Sequence, residues 1–156
     1  MISKYKVQST KYSAFTLIEL LVVISIIGIL IAVSVFGLQG ARETSRDSRR
    51  KADLEQIRSG IEIYKSDCNV YPASLTAGSA LKGDGSVPAC SLNNTYITAV
   101  PDDPTTPGRN YLYYSNGTIY EICASLEQVQ SGGTELCGGS STCGSGAPCN
   151  YKVINP

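Results

Sequence analysis

Glu19 is the residue most in need of a chemical reason. It stands in Phe15-Thr16-Leu17-Ile18-Glu19, at the head of the run LLVVISIIGILIAVSVFGL over residues 20–38, where only Ser25 and Ser34 are polar. A carboxylate held in hydrocarbon costs several kcal/mol unless it is neutralised or paired. No Lys or Arg lies within a helical turn of Glu19, and a plain membrane anchor has no use for it. Cleavage between Ala14 and Phe15 would supply the missing cation. The new α-amino group of Phe15 could pair with the Glu19 of its own chain or, more favourably, with the Glu19 of a neighbouring copy. That is the chemistry of assembly, not of turnover.

The other reactive set is six cysteines, Cys68, Cys90, Cys123, Cys137, Cys143 and Cys149. An even number in a Gly/Ser/Thr-rich setting reads as disulfides made in an oxidising compartment. Zinc fits less well, because no pair has the C-x2-C or C-x4-C spacing of a knuckle. Six cysteines allow 15 connectivities; the expectation here is Cys68–Cys90, with the other four paired among themselves. The chain has no His, which removes the commonest general base and the commonest catalytic metal ligand. No nucleophile–base pair stands out, and the chain reads as a non-enzyme.

Behind these residues lie the elements that must position them. Nineteen helical residues rise about 28 Å, close to the bilayer core of about 30 Å, so residues 20–38 are long enough to span. Ahead of them Lys4, Lys6 and Lys11 form a basic leader without an acid. Beyond them, residues 41–66 contain no Pro and repeat Leu54, Ile57, Ile61 and Tyr64 at helical spacing, an amphipathic helix with one apolar stripe. A continuous helix from about residue 15 to 66 would be about 75 Å long, which suits a fibre with bundled helices. The charged turns over residues 42–51 are expected to be solvated or paired with other subunits.

The string Ser13-Ala14-Phe15-Thr16-Leu17-Ile18-Glu19, followed by the apolar run with Gly28, resembles the class III signal peptide and N-methylation segment of type IV pilins and type II secretion pseudopilins. The resemblance implies that a prepilin peptidase cuts after Ala14 and methylates Phe15, and that Glu19 registers each subunit against the next. Two positions depart from the family pattern. Ala14 stands where Gly is usual. Phe36 stands where many members have Pro, so the family's kink or melted stretch would fall to Gly37 and Gly40.

Past the helix, Tyr71-Pro72 forces an extended chain, and residues 73–100 read as a long loop tied by Cys68 and Cys90. The strongest strand signal is NYLYYS-NG-TIYEICASL, residues 110–126. A two-residue type I′ turn at Asn116-Gly117 would pair Tyr113 with Tyr120 and Tyr111 with Ile122 on one face. This hairpin is the expected cover for the helix stripe, with residues 150–154 as a possible third strand. Residues 131–148, with six Gly and four Ser, are a loop that disulfides must hold. Val70-Tyr71-Pro72 and Asp103-Pro104 ahead of Tyr111-Leu112-Tyr113 are similar to major-pseudopilin-like domains. That likeness implies a long N-terminal helix packed on a small antiparallel sheet, an α+β fold. Some relatives bind calcium near the sheet; Asp102, Asp103 and Asn110 are the candidate ligands here, and no other cofactor is expected.

The organisation read from the sequence is a leader over residues 1–14, a membrane-spanning and filament-core helix over 15–40, and an extracytoplasmic domain over 41–156. Five cations, Arg42, Arg46, Arg49, Arg50 and Lys51, flank the span on the far side. Counted alone they would put the domain in the cytoplasm. Glu43 and Asp47 dilute them, the leader has no acid, and six cysteines make little sense in a reducing compartment. The functional expectation is a structural subunit of a type IV pilus-like filament, cut by prepilin peptidase and polymerised as a helical homo-oligomer on an inner-membrane assembly platform. Membrane lipid is its partner before assembly, and the finished filament is extracellular or periplasmic. The alternatives are a major pseudopilin of a type II secretion system, or a minor pilin acting as a surface- or DNA-binding tip. After residue 66 the only cations are Lys82, Arg109 and Lys152, so no nucleic-acid partner is expected.

Overall fold

The structure is a computed structural model that describes residues 15–128 and 133–156. Ala14 and the leader lie outside the described residues. The chain falls into two compact units that divide between Gly40 and Ala41. Helix α1, Leu17–Cys68, contributes to both, and its helical bonding runs through Gly37 and Gly40. In the first unit every residue from 15 to 35 is exposed. The helix there meets the length and composition of a membrane span.

The second unit folds on the rest of α1. The stripe Leu54, Ile57, Ile61 and Tyr64 is buried, each at 4% exposure or less. It shares one core with Tyr120, Ile122 and Ala124 of β4, Tyr120–Ala124, and Val153 of β5, Tyr151–Ile154. Gly60 belongs to this contact for a steric reason: a Cβ there would collide with the Ile97 side chain. The helix ends where Asn69 takes a left-handed φ of 61° and its N–H reaches the Lys65 carbonyl at 2.9 Å, an αL cap that only Gly and Asn adopt cheaply.

β3, Leu112–Ser115, pairs antiparallel with β4, and β4 with β5, giving the order β3-β4-β5. The hairpin register differs from the expected one. Ser115 faces Tyr120, Tyr113 faces Ile122 and Leu112 faces Cys123, so the loop holds four residues, not two. Asn116 causes the difference. Its Oδ1 accepts the N–H groups of Thr118 at 3.0 Å and Ile119 at 2.9 Å, and Gly117 at φ 87° completes the bend. A side-chain acceptor thus replaces the tight turn. The slip is two residues, a full period of the strand, so the inward and outward faces stay as expected.

Residues 73–100 also differ from the expected plain loop. They contain β1, Leu81–Lys82, and β2, Thr95–Ile97, paired antiparallel. Elements of two and three residues leave no readable period, but they seat Leu81, Ile97 and Val100 in the core.

Candidate assembly site

Thr16 and Glu19 close the helix start reciprocally. The Glu19 N–H donates to the Thr16 hydroxyl at 3.3 Å, and Glu19 Oε2 accepts the Thr16 N–H at 2.9 Å and its hydroxyl at 2.7 Å. This is a capping box, with Thr16 as the cap and Glu19 at the third helical position. Glu19 therefore has a use within its own chain, contrary to the expectation that an anchor offers none. The Thr-x-x-Glu spacing was the available signal. Phe15 is 82% exposed beside it and Leu17 81%. A carboxylate one turn from the proposed new N-terminus thus heads a helix whose apolar sides have no cover in this unit.

In the second unit the charged turns beyond Ala41 divide: Arg42, Arg49 and Lys51 are exposed, as expected, whereas Asp47 and Arg50 turn inward. Arg50 is completely buried. Its Nε and Nη2 grip the two oxygens of Asp103 at 2.7 and 3.1 Å, and its Nη1 donates to Asp47 at 2.7 Å and Glu127 at 2.8 Å. Arg46 clasps both oxygens of Glu127, and Arg109 reaches the same carboxylate at 3.0 Å. Asp47 also accepts the backbone N–H groups of Glu127 and Gln128. Three guanidinium and three carboxylate groups thus bind the 101–109 and 125–128 segments to α1.

Burial works against the charge on Arg50, yet its hydrogen bonds to Asp103, Glu127 and Asp47 outweigh burial and hold it more firmly protonated than usual. Burial likewise pushes the Asp103 carboxyl up, and the donors of Arg50 and Thr105 bring it below its ordinary value. The hydrogen bond from Arg46, with that from Arg50, holds Glu127 down at about 2. Sequence reading missed this network because two of the three carboxylates around Arg50, Asp103 and Glu127, lie 53 and 77 residues from it.

The remaining candidates fall into place around it. Both Asp103 oxygens are taken by Arg50. Asp102 Oδ1 accepts the Asp103 N–H at 2.9 Å and the Thr106 hydroxyl at 2.8 Å, and Asn110 is exposed. A calcium ion using Asp103 would have to displace the Arg50 guanidinium. The cysteines pair as Cys68–Cys90, Cys123–Cys137 and Cys143–Cys149. Cys68, Asp84 and Cys90 lie close enough to suggest a metal cluster, but the two sulfurs are bonded to each other and offer no thiolate. Three hairpin Tyr phenols turn inward, while Tyr114 stays exposed. Tyr111 donates to Asp53 at 2.8 Å, Tyr120 to Glu62 at 2.9 Å and Tyr113 to the Pro72 carbonyl at 2.8 Å. They are packing groups, not stacking platforms for bases.

Two family profiles match the chain. Residues 9–35 match the prokaryotic N-terminal methylation motif, and residues 38–137 match the type II secretion system protein G. Among curated relatives, the type II secretion system core protein G of Aeromonas hydrophila is 31% identical over 118 residues, covering 74% of this chain and 81% of that protein. The Vibrio cholerae protein of the same name is 33% identical over 109 residues, covering 69% and 73%. The one from Escherichia coli is 30% identical over 110 residues, covering 69% and 74%. No solved structure matches the chain.

Proposed function

The chain belongs to the type II secretion system protein G family, and from that premise we propose that it is a major pseudopilin, the repeating subunit of a secretion filament. This moves the emphasis from the pilus expected first to the secretion alternative, because every relative named above is a secretion core protein. A minor tip module is not favoured, since Tyr111, Tyr113 and Tyr120 spend their phenols on hydrogen bonds within the domain.

In this reading the prepilin peptidase cuts after Ala14 and methylates Phe15. The span holds the subunit in the inner membrane with the domain outside, where its disulfides form. The assembly platform then lifts the helix out of lipid into a bundle of identical helices. The observation that carries the proposal is the apolar helix, exposed over residues 15–35 and headed by Glu19. A surface of that size needs lipid or copies of itself. Burying it against other helices at membrane exit keeps it out of water, and a Glu19–Phe15 ammonium pair at each junction would fix the register.

The test is deletion of the gene with complementation, together with the intact mass of the purified protein. A secretion subunit predicts that normally exported proteins accumulate in the periplasm of the deletion strain, and that the mature chain starts at N-methylated Phe15. Normal secretion with loss of long surface fibres would return the pilus reading. A start at Met1 would remove the processing step.

A further inference from the structure

The second unit contains a cavity of about 390 Å³ that the assembly argument does not use. Its floor is Ile57, Val100 and Ile122, one wall is Tyr113, and Asp102 and Asn110 stand at the rim. The floor residues are 1%, 6% and 1% exposed, so the floor is apolar. The volume lies in the range of ligand pockets, and an apolar floor with a few polar groups at the edge is their usual construction.

The rim has one charge, and it is unneutralised. Asp103, next in sequence, is paired with Arg50. Asp102 spends Oδ1 on Asp103 N–H and the Thr106 hydroxyl, and its Oδ2 has no partner among the described residues. No Lys or Arg lines the cavity. Its complement is therefore a cation on an apolar stem, the shape of a Lys or Arg side chain, which buries its methylenes and keeps its head at the rim. The surface of the same chain supplies such groups. Arg42 and Lys82 are exposed and have no acidic partner among the described residues, whereas the other cations of the second unit engage a carboxylate, a tyrosine ring or a carbonyl. In a homopolymer, unpaired groups of opposite sign recur on every copy.

We infer that this cavity is an intersubunit socket, in which Asp102 receives the Arg42 or Lys82 side chain of a second copy. The inference rests on the filament reading and adds a contact between globular domains to the one between helices. Rim charges of this kind choose partner and register more than they add affinity.

The experiment places a photo-crosslinking amino acid at Ala77, an exposed lining residue, in the full-length chain assembled in cells. Ultraviolet light should give an adduct of twice the subunit mass, mapped by mass spectrometry to a peptide carrying Arg42 or Lys82. Asp102→Asn in the same background keeps the Oδ1 acceptor and removes the charge, and should lower the adduct yield about fivefold. Filaments that form normally without the adduct overturn the socket and leave the filament reading standing. An adduct indifferent to Asp102→Asn, or one made to a different protein, overturns it as well. Absence of filaments from the unsubstituted chain would instead count against the filament reading itself.

Discussion

The two halves of α1 solve opposite problems with the same backbone. Before Gly40 the helix carries apolar side chains that nothing in its unit covers, and its one charge is held by a single neighbour, Thr16. After Ala41 it carries five cations within ten residues, and two of them, Arg46 and Arg50, are locked to Asp47, Asp103 and Glu127. The first half is unfinished as a single chain, whereas the second half has its buried charges partnered within the domain. Exposed apolar surface and a lightly held carboxylate mark where other molecules must act. A buried and fully partnered guanidinium marks what the domain needs for itself.

The sharpest break of this contrast is Arg50→Ala. Removing the guanidinium leaves the buried Asp103 carboxylate with no cation and only the Thr105 donors, and breaking a buried pair costs about 3–5 kcal/mol. For a domain of this size that is a drop of roughly 10–20 °C in Tm. Near-UV circular dichroism reads it selectively, because residues 15–40 contain no Tyr and eight of the ten tyrosines lie in the domain. Insertion of the first half should be unchanged. A Tm within two or three degrees of wild type would show that the network is ornamental.

Next comes the Cys68→Ala, Cys90→Ala double variant. Opening a loop with a sequence separation of 22 should cost about 3 kcal/mol through the unfolded chain, read by the same signal. An unchanged Tm would mean that β1 and β2 are held without the bridge. Acid has a smaller and graded effect. Glu127 sits at about 2 against an ordinary 4.5, and Asp103 is also depressed. Their contribution is therefore whole above about pH 4.5 and drains away as the pH falls towards 2. Tm should fall through that window in wild type and more shallowly in Arg50→Ala, where Asp103 and Glu127 have already lost their shared donor.

The same contrast explains what was legible beforehand. Leu54, Ile57, Ile61 and Tyr64 announce their burial because a helix repeats them on one face. The hairpin is visible from Asn116-Gly117 and its β-branched and aromatic flanks. Its register was not, because Asn116 can serve a tight turn or, through its side chain, a wider loop, and tertiary contacts choose between them. One such contact is the Tyr71 N–H on the Gly117 carbonyl at 2.9 Å. Arg50 looked like any helix-surface cation. Burial of a charge is set by partners far along the chain, and no local period reports them. Glu19 was legible as an anomaly but not as a cap, since attention to its cost in lipid hid the Thr-x-x-Glu spacing.

Glu19 gives the smallest effect on folding and the clearest separation of roles. Its capping box and its proposed pair with a neighbour's Phe15 ammonium use the same carboxylate, and two substitutions pull them apart. Gln serves a capping box nearly as well as Glu, so Glu19→Gln keeps the helix start and removes the charge. Glu19→Ala removes both. Loss of the cap alone costs about 1 kcal/mol of local helix stability, too little to move the Tm of a domain that begins at Ala41. Both variants should insert and be processed, because removing a charge makes entry into hydrocarbon easier. If the charge pair drives assembly, both should fail to form filaments when expressed alone, since each junction would leave an ammonium uncompensated. Supplied beside wild type, either should enter filaments at reduced frequency, its own ammonium meeting a wild-type carboxylate. If the cap is what matters, Glu19→Gln should assemble like wild type and only Glu19→Ala should fail. Filament yield by electron microscopy, normalised to processed subunit, decides between them, and normal yield from Glu19→Gln alone would end the pairing proposal while leaving Glu19 its place at the head of the helix.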